Sequence, residues 1–250
     1  MVNLLLCGCC GKMGHVIQEA VAAREDCRIV AGVDLVKDDS LSFPVYSSID
    51  QVQETADALI DFSHPSTLDS LLGYMEKTGT AAVLATTGYS EEQIEKIKRM
   101  AESVPIFFSF NMSLGINLLV ELAKKATCIL GESFDIEIVE AHHNQKIDAP
   151  SGTAVMLANA VKDALAEDYE LVYDRHDCRQ KREKKEIGIH SLRGGTIVGE
   201  HSVDLAGRDE IVTHSHSARS KEIFACGSVR AALYMVGKPA GLYSMSDLMK

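Results

Sequence analysis

In the first half of the chain, short continuous apolar runs alternate with longer stretches whose apolar residues recur every three to four positions. Such runs are typical of strands buried on both faces of a parallel sheet, and the periodic stretches are typical of amphipathic helices. The pattern predicts strands at 2–7, 28–34, 58–62, 81–85 and 106–108, with helices at about 13–23, 66–77 and 91–102. This alternation predicts βαβ units and an α/β domain built on a parallel sheet.

After Asn111 the pattern changes from alternation to a series of strands. It predicts helices at about 113–130 and 153–166, and strands at 134–141, 187–192, 200–205 and 210–217. A run of strands after an α/β half indicates a second, α+β domain with an open, antiparallel or mixed sheet. A last apolar helix, at about 221–236, is expected to pack back onto the first domain. The predicted domains are therefore 1–111 with 218–250, and 112–217.

Composition and charge narrow the classes of function. The chain has 250 residues, 46% of them hydrophobic, and its net charge of -11 argues against general binding to nucleic acid or membrane surfaces, which are negative. No apolar run predicts a transmembrane helix, and no signal peptide is expected. The seven cysteines then favour reduced thiols in a cytoplasmic protein. Cys7, Cys9 and Cys10 are not followed by a second Cys/His pair at zinc spacing, so no metal is expected there.

The first candidate site is the turn between the first predicted strand and the first predicted helix. Gly8, Gly11 and Gly14 are spaced G-x-x-G-x-x-G, in the strand–turn–helix context of a dinucleotide fingerprint. These glycines suit a tight turn, the approach of a pyrophosphate and close packing of helix on strand, and the helix N-terminus offers N–H groups to the phosphates. Similar turns also occur without a ligand, so the spacing alone leaves both interpretations open.

Asp34 strengthens the nucleotide interpretation, because it ends the second predicted strand about 20 residues past Gly14. A carboxylate there accepts hydrogen bonds from ribose hydroxyls and repels a 2′-phosphate, so NADH is favoured. Lys12 and Lys37 are near enough to leave NADPH open. A further turn, Thr86-Thr87-Gly88, follows the fourth predicted strand. It lies at the edge where ligands bind in open α/β sheets. A plain turn without a ligand is the alternative.

The most specific stretch is 140–154, EAHHNQKIDAPSGTA. A predicted strand ends in the adjacent His142 and His143, Lys146 follows closely, and a helix begins at Gly152 and Thr153. One histidine can donate a proton near neutral pH, the other and the lysine offer cationic or donor contacts, and the helix N-terminus can bind an anion. This set suits a small molecule with two carboxylates and a reacting centre between them. A polar surface loop is the alternative.

Together with the glycine turn, this stretch resembles the signature of the dihydrodipicolinate reductase family. Similar motifs of that family stand in the same order along the chain, at Thr86-Thr87-Gly88, Asn111-Met112-Ser113, Gly199-Glu200-His201 and Arg230-Ala231-Ala232. The resemblance covers nearly the whole chain. It implies a Rossmann-like nucleotide domain, a second domain whose open mixed sheet assembles a homotetramer, and no metal.

The resemblance also implies an activity and roles for individual residues. The family reduces 4-hydroxy-tetrahydrodipicolinate, a cyclic imine with two carboxylates, to tetrahydrodipicolinate with NAD(P)H in diaminopimelate and lysine biosynthesis. His142 is implied as the general acid, and Lys146 as a group that helps to protonate or position the substrate. The implied carboxylate ligands are His143, Lys146, Gly152 and Thr153. The implied cofactor contacts are Gly8, Lys12, Met13, Asp34, Gly88, Phe110, Asn111 and Met112.

Three positions depart from the family pattern. Asn144 replaces an arginine common beside the histidine pair, so a cationic contribution to substrate binding is expected to be missing. Ala85 stands where a glycine often precedes the Thr-Thr-Gly turn. Leu35 follows Asp34 where some members carry an arginine for a 2′-phosphate, which again favours NADH.

Other interpretations stay open on the sequence. A different Rossmann-type dehydrogenase for a small amino or dicarboxylic acid would share the fold, and a nucleotide-binding regulatory protein would keep the turn without catalysis. A metal hydrolase is a third alternative, with four histidines as metal ligands, namely His142, His143, His214 and His216. No carboxylate ligand stands at a recognisable spacing from them. The basic run at 175–185 predicts a solvated loop, or cations that reach a neighbouring subunit or a cofactor phosphate.

Overall fold

The computed structural model describes residues 1–250 and divides into two compact units. Unit 1 comprises residues 1–114 and 221–250, and unit 2 comprises residues 115–220. No helix is both long enough and apolar enough to cross a membrane.

The strands and helices, in chain order, have the following bounds. The strands are β1 (Val2–Cys7), β2 (Cys27–Val33), β3 (Val45–Tyr46), β4 (Ala58–Asp61), β5 (Ala81–Leu84), β6 (Pro105–Phe108), β7 (Asp135–His142), β8 (Glu170–Val172), β9 (Glu186–Arg193), β10 (Gly199–Ala206), β11 (Ile211–Ala218) and β12 (Gly241–Tyr243). The helices are α1 (Lys12–Ala22), α2 (Leu68–Thr78), α3 (Glu91–Met100), α4 (Leu114–Leu130), α5 (Gly152–Asp163), α6 (Glu222–Met235) and α7 (Met245–Leu248).

Unit 1 is built on a sheet of seven parallel strands in the order β12-β6-β5-β4-β1-β2-β3. The predicted parallel α/β sheet is confirmed. The sequence pattern missed β3 and β12 because strands of two and three residues are too short to show a period. Helix α3 begins with a capping box, in which Ser90 and Gln93 satisfy each other's backbone N–H groups.

Both faces of this sheet are buried, which explains the continuous apolar run of β1. Leu4 and Leu6 point into one core cluster, while Leu5 and Cys7 point into the other. The first cluster also contains Val229 and neighbouring small residues of α6, so the last long helix covers the same face as α1. Burial on both faces is the expected environment of a parallel strand between helices.

The order of the strands reverses beside β1. The chain runs outward from β1 to β2 and β3, and then returns to place β4 on the other side of β1. Ligands of open α/β sheets bind at the carboxyl edge next to such a reversal. Cys7 and Asp61 pair in register at the carboxyl ends of β1 and β4, so the turns that follow them flank this crevice.

Unit 2 is built on a five-stranded mixed sheet in the order β11-β10-β7-β9-β8. Strand β10 runs antiparallel to β7 and β11, whereas β7, β8 and β9 are parallel. Ile138 and Val203 on one face of the sheet pack in a core cluster with Leu157 and Val161 of α5. The predicted second domain with a mixed sheet is confirmed.

The opposite face of this sheet carries an ionic network that uses part of the basic run. Arg182 donates to Asp135 and Glu137, both at 2.9 Å, and Arg175 pairs with Glu186. These two arginines therefore hold β7 and the loop before β9 together within unit 2. The sequence analysis predicted either a solvated loop or cations that reach a neighbouring subunit or a cofactor phosphate. The structural role of these two arginines within unit 2 is neither of these.

Candidate active site

The nucleotide turn, residues 8–14, adopts the close-packed form that its glycines predict. Gly8 has φ +79°, and a Cβ there would lie 2.5 Å from the Phe62 carbonyl oxygen at the end of β4. A Cβ on Gly14 would overlap the carbonyl oxygens of Gly8 and Cys9. A side chain at either position would force the turn away from the sheet, so both glycines are required by the backbone geometry.

The start of α1 has the features of a phosphate-binding helix N-terminus. Gly11 is the N-cap, and no side chain caps the first turn, which begins at Lys12 and Met13. The first N–H groups of a helix have no acceptor within the helix and carry the positive end of its dipole. The turn therefore offers an anion backbone donors without a competing side chain, and this fits the pyrophosphate of a dinucleotide.

Asp34 follows β2 and is tied to the nucleotide turn. Its Oδ2 accepts the N–H of Cys10 at 2.9 Å, and its Oδ1 accepts the N–H of Val36 at 3.1 Å. A cleft of about 390 Å³ lies beside it, and no lysine or arginine is among the lining residues, which include Gly8, Gly11, Asp34, Leu35, Ser48, Ser63, His64 and Thr67. One carboxylate and many hydroxyls form the polar lining, which suits uncharged ribose hydroxyls better than an additional phosphate.

In the Thr-Thr-Gly turn, residues 86–88, the first threonine side chain forms a structural hydrogen bond. The Thr86 hydroxyl donates to Asp61 at 2.7 Å, and the Tyr89 hydroxyl approaches the same carboxylate at 3.2 Å. Asp61 is fully buried, and burial raises the pKa of its carboxyl although hydrogen bonds from Ser63 and Thr86 counter the rise. The Thr86 side chain therefore fixes the end of β4. Contacts to a cofactor are left to the exposed Thr87 and to Gly88.

Residues 110–112 differ among themselves in accessibility. Phe110 is exposed and its ring meets that of Phe108 edge-on, with centroids 4.9 Å apart. Asn111 accepts the N–H of Ser113 through its side-chain oxygen at 2.9 Å. Met112 is buried in the core of unit 1, so only its backbone remains for a ligand. The structure thus leaves Phe110 as the accessible side chain of this segment.

The predicted acid, His142, belongs to a buried charged cluster in unit 2. Its Nδ1 lies 2.6 Å from Oε2 of Glu140, whose side chain is fully buried. Arg193 makes a bidentate contact with Glu140, with both N–O distances 2.8 Å, and the N–H of Ser151 donates to the same carboxylate at 3.1 Å. We call Glu140, His142, Arg193, Ser151 and His201 the His142 cluster.

The cluster determines which nitrogen of His142 is available for proton transfer. Burial by itself would raise the pKa of the Glu140 carboxyl, but hydrogen bonds from Arg193 and His142 lower it to about 2. The carboxylate is therefore ionised and can only accept, so Nδ1 of His142 carries a proton. The other ring nitrogen, Nε2, is not engaged by the carboxylate. A Cβ on Gly199 would lie 3.1 Å from it, so the glycine leaves this nitrogen uncrowded.

The remaining predicted substrate residues are connected to the same cluster. Lys146 pairs with Asp148 at 2.8 Å, and Arg193 donates to the Asp148 carbonyl oxygen at 2.6 Å. Ser151 is the N-cap of α5 and accepts the N–H of Ala154, so Gly152 and Thr153 form the first turn. No atom lies within 4 Å of the position of a Cβ on Gly152. The space beside Gly152 is therefore open.

His201 extends the cluster from β10. Its Nε2 lies 3.0 Å from the Ser151 hydroxyl, and its ring meets that of His142 edge-on with centroids 5.2 Å apart. Burial, together with the charge of His142, lowers the pKa of the His201 imidazole to about 4. His201 is therefore neutral at neutral pH. It hydrogen-bonds with Ser151 and packs against the ring of His142.

Glu140, Arg193 and His201 were not among the residues predicted for the site. Strand register brings them together, since His142 pairs with Arg193 in β9 and Glu140 pairs with His201 in β10. The sequence signals for them were the place of Glu140 at the start of segment 140–154 and the Gly-Glu-His motif at 199–201. Arg193 supplies a cation to this region, although it pairs with a carboxylate and does not directly replace the arginine missing at Asn144.

The four histidines of the hydrolase interpretation do not form a ligand group. The single set of three potential metal ligands within 4.8 Å of one another consists of Cys9, Cys10 and Asp34, in the nucleotide turn. His216 instead lies opposite His201 in the β10–β11 register.

A Rossmann-like sheet with a glycine-lined cleft, and a second unit with a buried histidine cluster beside the start of a helix, are the features of a pyridine-nucleotide-dependent oxidoreductase of two domains. Two family models match the chain. The model described as dihydrodipicolinate reductase, N-terminus, matches residues 2–112, and the model described as dihydrodipicolinate reductase, C-terminus, matches residues 115–249. The chain belongs to the dihydrodipicolinate reductase family.

Sequence relatives agree with this assignment. A 4-hydroxy-tetrahydrodipicolinate reductase of Clostridium novyi (strain NT) is 49% identical over 250 residues, which cover 100% of this chain and 99% of the relative. A reductase of the same name from Caldanaerobacter subterraneus subsp. tengcongensis is 48% identical over 250 residues with the same coverage. The resemblance to the family found in the sequence is confirmed, and a different Rossmann-type dehydrogenase is not favoured.

Solved structures share the fold. The dipicolinate-bound dihydrodipicolinate reductase from Paenisporosarcina sp. TG-14 has a TM-score of 0.81 at 24% identity, covering 98% of this chain and 97% of that chain. A scyllo-inositol dehydrogenase from Lactobacillus casei with bound NAD(H) and scyllo-inositol has a TM-score of 0.61 at 11% identity, covering 100% of this chain and 93% of that chain. At these identities the likeness concerns the fold alone.

Proposed function

We propose that this protein reduces 4-hydroxy-tetrahydrodipicolinate to tetrahydrodipicolinate in diaminopimelate and lysine biosynthesis, the activity named for its relatives. The observation that carries the proposal is the His142 cluster. Its charged contacts connect one acid, Lys146 and the start of α5 within a single network. A cyclic imine with a carboxylate on each side needs these three elements. The substrate loses its 4-hydroxyl as water, and the conjugated imine then accepts a hydride and a proton.

His142 is the proposed proton donor. With Nδ1 held by the Glu140 carboxylate at 2.6 Å, the ring is held in one orientation. The proton on Nε2 passes to the substrate atom that becomes basic as the ring is reduced. The hydride is supplied by the nicotinamide when the cofactor is bound. Arg193 positions Glu140 and thereby acts on the proton donor from a distance.

The substrate carboxylates are proposed to bind at Lys146, His143 and the α5 start. Lys146 reaches a carboxylate already, that of Asp148, so the same ammonium can exchange this partner for a substrate carboxylate. The N–H groups of Gly152 and Thr153 would take the other carboxylate at the positive end of the helix dipole. His143 is only half-buried and is close enough in sequence to reach the same ligand.

NADH is the proposed preferred cofactor. Its adenosine would lie in the cleft beside Asp34, with the pyrophosphate at Gly11, Lys12 and Met13. The preference is supported by Leu35, which is 91% exposed at the position where a cation would hold a 2′-phosphate. The absence of lysine and arginine from the cleft lining supports it further. NADPH remains a slower alternative because Lys12 and Lys37 are nearby.

A cytoplasmic homotetramer is the proposed form of the protein. All seven cysteines are free thiols, as expected in a reducing compartment. Strand β11 is the edge of the unit 2 sheet and exposes Ile211, which is 67% accessible. An uncovered edge strand with apolar side chains favours pairing with another chain. Sedimentation velocity should give the mass of four chains, and a single-chain species at micromolar concentration would contradict the tetramer.

The activity is tested by generating the substrate in place. Pyruvate, aspartate semialdehyde and the upstream synthase are supplied, and oxidation of NADH and of NADPH is followed separately by absorbance. The proposal predicts oxidation that depends on the synthase and on both of its substrates, with a higher kcat/KM for NADH. His142→Gln serves as the matched control for background oxidation. No synthase-dependent oxidation with either nucleotide would overturn the proposed function.

A further inference from the structure

The nucleotide turn carries two adjacent thiols for which the proposed reaction has no use. Cys9 is fully buried and Cys10 is half-buried, and their Sγ atoms are 3.8 Å apart. The carboxylate of Asp34 approaches both, so that one ligand atom from each of the three residues lies within 4.8 Å of the others. Two soft sulfur ligands and one oxygen ligand thus converge beside the nucleotide cleft.

The separation of the sulfurs matches the requirement of a bound metal ion. Two thiolates on one tetrahedral zinc ion, each with a bond of about 2.3 Å, are about 3.8 Å apart. The two Sγ atoms already have this separation, as two ligands of one ion require. With Asp34 as the third ligand, the fourth position of a tetrahedral ion is left for water.

The backbone holds this arrangement in place. A Cβ at position 32 would lie 2.6 Å from Cys9 Sγ, so the glycine there makes room for the sulfur against β2. The N–H of Cys10 donates to Asp34 at 2.9 Å, and its thiol donates to the Val36 carbonyl oxygen at 3.3 Å. Spacing alone argued against a metal at these cysteines because no second Cys/His pair follows them. The third ligand instead comes from the end of β2.

We propose that Cys9, Cys10 and Asp34 form a binding site for a soft divalent cation such as Zn²⁺ or Cd²⁺, and that this ion and the nicotinamide nucleotide exclude each other. The ion would occupy the carboxylate that the adenosine ribose needs, a step that rests on the role proposed for Asp34 in nucleotide binding. Binding displaces one proton from each thiol, so one divalent ion enters as two protons leave.

The test is a Cd²⁺ titration of the reduced, metal-free, full-length protein, followed by the ultraviolet charge-transfer absorption of cadmium–thiolate bonds. The wild type should bind one ion per chain with this absorption. Cys10→Ser should lose about half of the absorption and bind at least roughly tenfold more weakly, since one of two thiolates is gone. Cys9→Ala should behave similarly. The control replaces the three exposed cysteines together, Cys128→Ser, Cys178→Ser and Cys226→Ser, and should titrate like the wild type.

Competition is measured in the same samples. NADH is first titrated into metal-free protein by its fluorescence, and a saturating concentration is then added to the cadmium-bound protein. The proposal predicts that the charge-transfer absorption disappears. It is overturned if Cys10→Ser and Cys9→Ala titrate like the wild type, or if the absorption persists under saturating NADH. If NADH does not bind to metal-free protein, the proposed function fails, and the cysteine variants still decide whether the metal site exists.

Discussion

The nucleotide turn of unit 1 and the His142 cluster of unit 2 differ in the chemical groups from which they are built. The turn works through its backbone, because Gly8 and Gly14 remove side chains and α1 presents uncapped N–H groups. The cluster works through charged side chains from two strands, β7 and β9, of which Glu140 and Arg193 are 53 residues apart. A backbone site depends on conformation, whereas a side-chain cluster depends on charge and protonation. The two regions should therefore respond differently to substitution and to pH.

The largest effect is expected at the proton donor. His142→Gln keeps a polar side chain of similar size but removes the transferable proton, so kcat should fall by roughly two or more orders of magnitude. The Kd of NADH, measured by fluorescence, should stay within about twofold of the wild-type value, because the nucleotide turn is untouched. A kcat near that of the wild type would remove His142 from the role of acid.

Glu140→Gln should have the next largest effect, since it removes the carboxylate that holds Nδ1 of His142. We expect kcat/KM to fall by roughly ten- to hundredfold. The loss should fall on kcat more than on KM, because Glu140 orients the proton donor and is not among the proposed substrate ligands. Glu137→Gln is the matched control, a carboxylate on the opposite face of the same strand.

A structural role for Glu140 would give a different result. Both Glu140→Gln and Glu137→Gln break an arginine contact and are expected to lower stability. Only the Glu140 variant should lower kcat per folded enzyme. If Glu140→Gln loses activity only in proportion to folded protein, Glu140 has a structural role alone.

A smaller effect is expected from adding a cation to the backbone-based site. Leu35→Arg places a guanidinium next to Asp34, where it can pair with a 2′-phosphate. The ratio of kcat/KM for NADPH to that for NADH should rise by roughly tenfold. Leu35→Gln, which lengthens the side chain without charge, is the control and should leave the ratio almost unchanged. A wild-type enzyme that already prefers NADPH strongly would contradict the proposed cofactor preference.

The smallest effect concerns stability and pH. The pKa of His201 is lowered to about 4 in the folded chain, below its ordinary value of 6.5, so the unfolded chain binds more protons between these values. Stability from this group is complete above about pH 6.5 and is lost as pH falls toward 4. His201→Gln should reduce the slope of the unfolding free energy by up to about 1.4 kcal/mol per pH unit.

The slope is measured by urea unfolding at several pH values, followed by circular dichroism because the chain contains no tryptophan. His176→Gln, which changes an exposed histidine, should keep the wild-type slope. Equal slopes for the wild type and His201→Gln would show that His201 titrates normally in the folded chain.

The same contrast explains which features the sequence predicted. Buried strands such as β1 and β4 appear as continuous apolar runs, and the nucleotide turn appears as a local spacing of glycines, so both were predicted. Segment 140–154 was proposed as the substrate site because its histidines, lysine and helix start are close in sequence, and this stays a prediction. Arg193 and His201 were missed because they reach His142 and Glu140 only through strand register. That register depends on the packing of the whole unit 2 sheet and leaves no local pattern.

The most direct test of this division between the two regions is Lys146→Ala, with substrate kinetics and NADH binding measured on the same preparation. If unit 2 holds the dicarboxylate and unit 1 holds the nucleotide, loss of the ammonium should lower kcat/KM for the substrate by roughly a hundredfold. The Kd of NADH should stay within about twofold of the wild-type value. An equal loss of affinity for NADH, or an unchanged kcat/KM for the substrate, would contradict the account.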